Sequence, residues 1–411
     1  MNPRLLPLLR CPFCGAALAW SPLAGVGDGA GKLLCDCCAY PVVEGIPFVR
    51  TGALAREALR CLDRGEVLAA LMILLEVPEP GRAALVEFLR DPHVRNFQDT
   101  LARLPAGAEG VYLLHRFSDP TFLVGEAALR AWTAGPGLFG HPALDVGGGA
   151  GHLTRALHRL AGGQDVVLAD LAFWKLWLAR RFVAPGCLPV CCDANVPLPF
   201  VAGAFRFVFS SDAFHYIWSK RLLADELMRA AGEDGLVRLA HLHNALADNP
   251  SAGMPLAPAG WRRLFHAWHP RLFGETPVLD ALLSGKPIDL GGAGAGDADL
   301  AAEPSLLLAA GGREPVHAAV SQGKAPALPA GGWRFNPLYR QEPAGDAVRL
   351  TLQFPSADYA EEFGGGRRYL PVEACVSPAT VAAMRGGPGT AELDELVARR
   401  VVLDLPEHYL P

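Results

Sequence analysis

The sequence predicts an α/β protein: a doubly wound, mostly parallel seven-stranded sheet, with a small cysteine-bearing ribbon and a helical connector before it and an α+β unit after it. Three observations carry that reading. The apolar run Ala143-Leu144-Asp145-Val146 breaks into the glycine-rich turn Gly147-Gly148-Gly149-Ala150-Gly151, and a helix-forming segment follows. Further apolar runs alternate with helical segments at the spacing of βαβ units. Two close cysteine pairs, at residues 11–14 and 35–38, stand in front of all this.

A chain of 411 residues is too long for one ordinary core, and its pattern divides into segments 1–50, 51–107, 108–315 and 316–411. With 51% hydrophobic and 19% charged residues, it has ample material for a buried core. A formal net charge of −5 points away from nucleic acid, because proteins that grip a phosphate backbone ordinarily show a basic face. No apolar run reaches the roughly 20 residues needed to span a bilayer. The short apolar opening is interrupted by Pro7, Arg10 and Cys11, with no small-residue cleavage site behind it. A cytoplasmic location is expected, where the ten cysteines serve as thiols and metal ligands rather than disulfides.

Cys11-Pro12-Phe13-Cys14 and Cys35-Asp36-Cys37-Cys38 give C-x2-C, a spacer of 20 residues, and C-x2-C again. That spacing fits a four-cysteine zinc ribbon, in which two tight turns aim four thiolates at one tetrahedral ion. Gly15 suits the turn after the first pair, and in so small a unit the metal supplies much of the folding energy. The expected ligands are Cys11, Cys14, Cys35 and Cys38, with Cys37 competing for the fourth place. Buried free thiols are the plain alternative, and a redox C-x-x-C lacks its βαβ surroundings. Continued through Tyr40-Pro41-Val42-Val43-Glu44-Gly45-Ile46-Pro47-Phe48, the segment resembles the small zinc-ribbon activator proteins that partner RNA and protein methyltransferases. The resemblance covers about the first 50 residues. It implies a structural zinc and a scaffold role, here towards the chain's own domain. Residues 51–104 then read as two helical stretches separated by Pro78-Glu79-Pro80-Gly81.

The glycine turn marks a nucleotide-type site, because a Cβ there would keep the backbone away from its ligand. The dinucleotide fingerprint fails, since His152 stands where its third glycine belongs. The order Asp145-x-Gly147-x-Gly149-x-Gly151 instead resembles the first motif of class I, type-11-like, S-adenosylmethionine-dependent methyltransferases. A second strand, Asp165–Asp170, ends in an acid about twenty residues past the glycines, where a ribose-binding carboxylate belongs. Asp193, after Leu188-Pro189-Val190-Cys191-Cys192, matches the residue that in this family lies by the adenine amino group. Leu198-Pro199-Phe200 precedes the fourth strand as in the family, whereas Arg206 departs from its frequent Phe-Asp-x-Val pattern. The resemblance thus implies that Asp145, Gly147, Gly149, Gly151, Asp170 and Asp193 bind S-adenosylmethionine. Taken singly, Asp145 or Asp170 reads equally well as a strand-end turn residue. Later strands are expected at Leu236–Leu242, Leu272–Leu279 and Ser305–Ala310.

Methyl transfer is an in-line displacement at an activated carbon, so alignment is the main task, and a base is needed only when the attacking atom must lose a proton. Two polar clusters fall at strand ends, Asp212-Ala213-Phe214-His215-Tyr216 and His241-Leu242-His243-Asn244. His215 is the first candidate for a base or orienting group, followed by His241, His243 and Asp212; a packed structural histidine is the competing reading. His241 and His243 alternate with Leu242 and are expected on one strand face, but as metal ligands they lack a third. His115–Phe122 marks a helix start able to close over the cofactor, or simply a cap. Beyond residue 315, Trp333–Tyr339 and the alternating run Val348–Phe354 suggest an acceptor-binding or interface unit. The activity expected is methyl transfer to oxygen or nitrogen of a small molecule or biosynthetic intermediate. An RNA methyltransferase is the alternative, disfavoured by the missing Asn-Pro-Pro-Tyr-like motif after strand four. A catalytically silent scaffold is the third.

Overall fold

Four short strands open the chain in the computed structural model, which describes residues 1–25, 29–90, 96–134, 140–249, 253–312 and 332–411. These are β1 (Ala19–Pro22), β2 (Gly31–Leu34), β3 (Ala39–Val43) and β4 (Ile46–Val49), paired antiparallel in sequence order. Glu44 and Gly45 join β3 to β4 with φ of 50° and 70°. Two successive positive-φ residues form the turn whose twist matches a hairpin.

Between these strands and the glycine turn the chain folds as α1 (Ala53–Asp63), α2 (Val67–Leu74), α3 (Glu79–Arg90), α4 (Phe97–Leu101), α5 (Gly107–His115) and α6 (Pro120–Trp132). In α1 the buried residues Ala55, Ala58, Cys61 and Leu62 recur at helical spacing and face the core. Pro80 and Gly81 do not separate two helices as expected; they lie in the first turn of α3. There a proline's missing N–H removes no helical bond. Asp119 caps α6 by accepting from the Phe122 amide at 2.6 Å, with Pro120 at the first helical position.

The next segment supplies β5 (Ala143–Val146), α7 (His152–Leu160), β6 (Val166–Asp170), α8 (Phe173–Leu178), β7 (Leu188–Cys192), β8 (Phe207–Ser211), α9 (Lys220–Ala231), β9 (Leu236–His243), α10 (Pro258–Leu264), β10 (Arg271–Gly274), α11 (Glu275–Leu283) and β11 (Ser305–Gly311). Every residue of β5, β6, β7 and β8 is buried, as parallel strands covered on both faces require. The strand order is β1-β2-β3-β4-β7-β6-β5-β8-β9-β11-β10. Neighbours from β4 through β9 in that order run parallel, and β11 runs antiparallel to both β9 and β10.

Two expectations are corrected here. The sheet has eleven strands rather than seven, because the ribbon is not set apart from it. β4 pairs in parallel with β7, matching Phe48 to Cys191 and Val49 to Cys192. Without β4, β7 would be an open edge; all four residues of β4 are apolar and buried, so it can serve as an inner strand. The strand expected over Leu272–Leu279 stops at Gly274, and Glu275 begins α11.

The last segment contains β12 (Gly332–Phe335), β13 (Tyr339–Ala344), β14 (Ala347–Leu352), α12 (Ala357–Phe363), β15 (Glu373–Val376), α13 (Pro378–Met384), α14 (Ala391–Ala398) and β16 (Val402–Leu405). β13, β14 and β15 form an antiparallel sheet, and β12 pairs with β16. The boundary expected near residue 315 lies outside the described residues. This segment shares the core of the connector: buried Tyr409 stacks on Phe97 with centroids 4.6 Å apart. Among the described residues no helix is long and apolar enough to cross a membrane.

Candidate active site

The turn after β5 depends on left-handed backbone. Gly147, Gly149 and Gly151 have φ of 73°, 57° and 84°. A Cβ on Gly147 would lie 2.5 Å from that of Ala213, while one on Gly149 would meet only the Lys175 side chain, at 3.9 Å. Gly147 therefore lets the loop after β8 approach. Gly149 keeps the turn open to the space in front of it, and its amide donates to Asp170 Oδ2 at 2.9 Å. The other Asp170 oxygen accepts from the Ala172 amide at 2.9 Å. Asp145 takes the Thr154 hydroxyl on Oδ2 at 2.7 Å, whereas its Oδ1 is buried with no partner. Burial above all, opposed by Thr154 and aided by the charge of Asp170, pushes Asp145 up to about 7. Asp193, just past β7, accepts on Oδ1 from the Asn195 amide at 2.8 Å and its side-chain nitrogen at 3.1 Å.

Asp145, Gly147, Gly149, Asp170 and Asp193 line one cavity of about 280 Å³ at the carboxyl ends of the strands. Gly151 is not among its lining; it caps α7 behind the turn. One face of α5 closes the other side with Glu109 and Tyr112, together with Arg116 just past its end. Arg116 belongs to the His115–Phe122 stretch expected to close over the cofactor, whereas Glu109, Tyr112, Lys175 and Asn195 are cavity residues that sequence reasoning missed. For Glu109 and Tyr112 the only signal was helical spacing in the stretch ahead of the first glycine-turn strand.

Parallel pairing sets Ser211 of β8 beside Ala240 of β9, which brings the two polar clusters together. Asp212 Oδ2 accepts from the Tyr112 hydroxyl at 2.8 Å. Asp212 Oδ1 lies 3.8 Å from His215 Nε2 and 3.9 Å from His241 Nε2. Burial opposes ionisation of Asp212, but His241, Arg116 and His215 outweigh it and hold the carboxyl below its ordinary range. His241 donates from its amide to Glu275 Oε1 at 2.7 Å and from Nδ1 to Oε2 at 2.8 Å. Burial alone would lower it, yet Glu275 and Asp212 raise it to about 9, so it is an imidazolium at neutral pH. Asp212 and His241 both carry positive φ, 56° and 51°. Strain of this kind in non-glycine residues gathers at functional sites.

Of the four candidate catalytic residues, only Asp212 lines this first cavity. His241 lines an adjoining cavity of about 220 Å³ with Glu275, Thr121, Ser305 and Glu362. His215 is fully buried, stacked on His243 with centroids 3.5 Å apart, and neither ring nitrogen has a hydrogen-bond partner. The common face expected for His241 and His243 is interrupted. The β9–β11 register shifts between Leu306 and Leu308, opposite left-handed His241, and the two imidazoles meet edge to face at 85°.

At the N-terminal end, the sulfurs of Cys11, Cys14, Cys35 and Cys37 all lie within 4.8 Å of one another. The Cys11–Cys37 and Cys35–Cys37 separations are 3.6 Å, and Cys14–Cys35 is 3.9 Å. Four thiolates about 2.3 Å from a tetrahedral zinc would stand about 3.8 Å apart, so the donor set fits that ion. The converging set contains Cys37 in place of the expected Cys38. The reason is local: the Cys35 amide donates to the Cys38 carbonyl at 3.0 Å, closing a tight turn that carries Cys37 at its tip.

Residues 143–235, from β5 to the threshold of β9, match the model of a family described as a methyltransferase domain. The chain thus carries a methyltransferase domain and is an enzyme. Among solved structures, it is similar to the YcgJ protein of Bacillus subtilis at 18% identity and a TM-score of 0.33, over 45% of this chain and 97% of that one. A chain from the complex between the Haloferax volcanii Trm112 methyltransferase activator and a methyltransferase is 18% identical with a TM-score of 0.36, over 57% of this chain and 100% of that one. Geranyl diphosphate methyltransferase, bound to GPP and sinefungin, is 16% identical with a TM-score of 0.35, over 46% and 77%. No curated protein matches the chain.

Proposed function

We propose that the protein transfers the methyl group of S-adenosylmethionine to an oxygen or nitrogen of a small molecule or biosynthetic intermediate. The carrying observation is the buried, unpartnered Asp145 oxygen at a glycine turn that shares its cavity with Asp170 and Asp193. Asp145 would face the ligand's positive charge, Asp170 the ribose hydroxyls and Asp193 the adenine amino group. When bound, S-adenosylmethionine supplies a methyl carbon already activated by its sulfonium. The protein's part is to hold, orient and dry the reacting groups. Leu171 and Ile217 contribute apolar lining, and α5 covers the cavity. Asp212 lines the same cavity and would face an acceptor heteroatom approaching the cofactor, while His241 and Glu275 line the second cavity. That second cavity has the size of a small acceptor, which supports a small molecule over a polymer. A zinc held by Cys11, Cys14, Cys35 and Cys37 would be structural, since its four sulfurs leave no open position.

Calorimetry tests the cofactor assignment. Micromolar binding of S-adenosylmethionine is expected, with none of NAD. Gly149→Val should abolish binding in a protein that still melts cooperatively, because valine is strained at φ 57° and projects in front of the turn. Normal binding by that variant would show that this loop is not the cofactor site.

A further inference from the structure

We infer that Asp212, His215 and His243 form a second metal site, for a borderline divalent transition ion of the Zn²⁺, Co²⁺ or Fe²⁺ kind, at the edge of the cofactor cavity. One ligand atom from each residue lies within 4.8 Å of the other two. Sequence spacing hid the set, because His241 and His243 have no third partner until β8 and β9 pair and deliver Asp212 with His215.

The second observation is the state of His215. Its ring is fully buried, and neither Nδ1 nor Nε2 has a hydrogen-bond partner. Buried polar nitrogens are almost always satisfied, so an orphaned imidazole facing a carboxylate oxygen at 3.8 Å points to something that joins them. Asp212 is already oriented as a metal-bound carboxylate would be. Its Oδ2 is held by the Tyr112 hydroxyl at 2.8 Å, which leaves Oδ1 towards the histidines. Two imidazoles and one carboxylate favour a borderline transition ion over Mg²⁺ or Ca²⁺. Three protein ligands also leave a coordination position for water or an acceptor heteroatom.

The rings of His215 and His243 lie nearly parallel, 12° apart, so both nitrogens reach one ion only after a ring turns. Two side chains compete for the same carboxylate, Arg116 and His241, each 3.9 Å from an Asp212 oxygen. Glu275 draws His241 to the opposite side at 2.8 Å.

The test uses the full-length protein equilibrated with Co²⁺, read by metal content and by absorption. The ribbon's sulfur site gives intense near-ultraviolet charge-transfer bands, whereas a nitrogen and oxygen site gives only weak visible bands. A second equivalent is expected in the wild type, with weak visible bands that survive in Cys37→Ser and vanish in His243→Ala and His215→Gln. Metal content confined to the equivalent that Cys37→Ser removes would overturn the site, and water would then be what satisfies His215. If the histidine variants fail to fold, the Cys37→Ser spectrum decides: no visible bands there overturns the proposal. The site rests on its own side chains and not on the methyl-transfer reading, which a parallel titration with S-adenosylmethionine reports separately.

Discussion

Asp145 has one oxygen on the Thr154 hydroxyl and the other buried without a partner, so in the unliganded protein its ionised form is the strained one. Its carboxyl is pushed up to about 7 from the 3.8 of an exposed aspartate. A group raised in this way stabilises the fold fully below its unfolded value. That contribution is lost as pH rises through its folded value, because the folded state keeps a proton that the unfolded chain gives up. Asp145→Asn stays neutral at every pH. The variant should therefore melt higher than the wild type at pH 8 and alike at pH 4, by about 1 °C for each kcal/mol relieved. It should also bind S-adenosylmethionine at least roughly tenfold more weakly, a loss of about 1.4 kcal/mol. Equal melting differences at the two pH values would contradict the burial argument. Asp145, Asp170 and Asp193, which line one cavity, were legible as candidates because each lies at or within one residue of the end of an apolar strand, where a doubly wound sheet keeps its ligand. The grouping of Asp212, His215 and His243 was not. It depends on the lateral pairing of β8 with β9, which spacing along the chain does not encode.

At the scale of elements, the segments built for one environment read correctly and those built for two did not. β5, β6, β7 and β8 are continuous apolar runs, and their pattern has a single solution. The run at Leu272–Leu279 is divided because Glu275 and Pro277 fall in the first turn of α11, where an acid and a proline favour helix over strand. The role of α5 was hidden for a different reason: what fixes it comes from the far end of the chain. The Tyr409 hydroxyl donates to the Leu113 carbonyl at 2.8 Å and accepts from His152 Nε2 at 2.9 Å, tying α5 to α7 across the last residues of the chain. Leu113 and His152 both line the cofactor cavity. Tyr409→Phe keeps the ring on Phe97 but leaves the His152 nitrogen buried without its partner, a change of about 1–3 kcal/mol. The variant should melt lower and bind S-adenosylmethionine more weakly. A variant that melts like the wild type would mean that the three segments are held by apolar packing alone.

Across the whole molecule, the N-terminal strands and the methyltransferase domain are one sheet, and a cysteine cluster that looks remote is connected to the cavity lined by Asp145, Asp170 and Asp193. The link runs through two contacts. β4 completes β7, whose carboxyl end carries Asp193. The turn between β3 and β4 is clamped from the domain side, Glu44 accepting from Trp177 Nε1 at 2.9 Å and from Arg181 at 2.6 Å. The family-like stretch Tyr40–Phe48 is thus the hairpin that docks, which explains why that part of a small ribbon was recognisable while the choice between Cys37 and Cys38 was not. Adjacent cysteines differ in direction, and direction is set by the turn rather than by the count of residues. Cys37→Ser should release the ribbon's zinc, lower the melting temperature and weaken S-adenosylmethionine binding several-fold, because a loosened β4 frees the edge of β7. Cys38→Ser should keep the zinc and both other properties. Elemental analysis and calorimetry on the two variants separate the cases. Zinc lost from Cys38→Ser but retained by Cys37→Ser would restore the ligand set read from spacing. Zinc lost with unchanged cofactor affinity would show that the shared sheet joins the two sites in space without coupling them in energy.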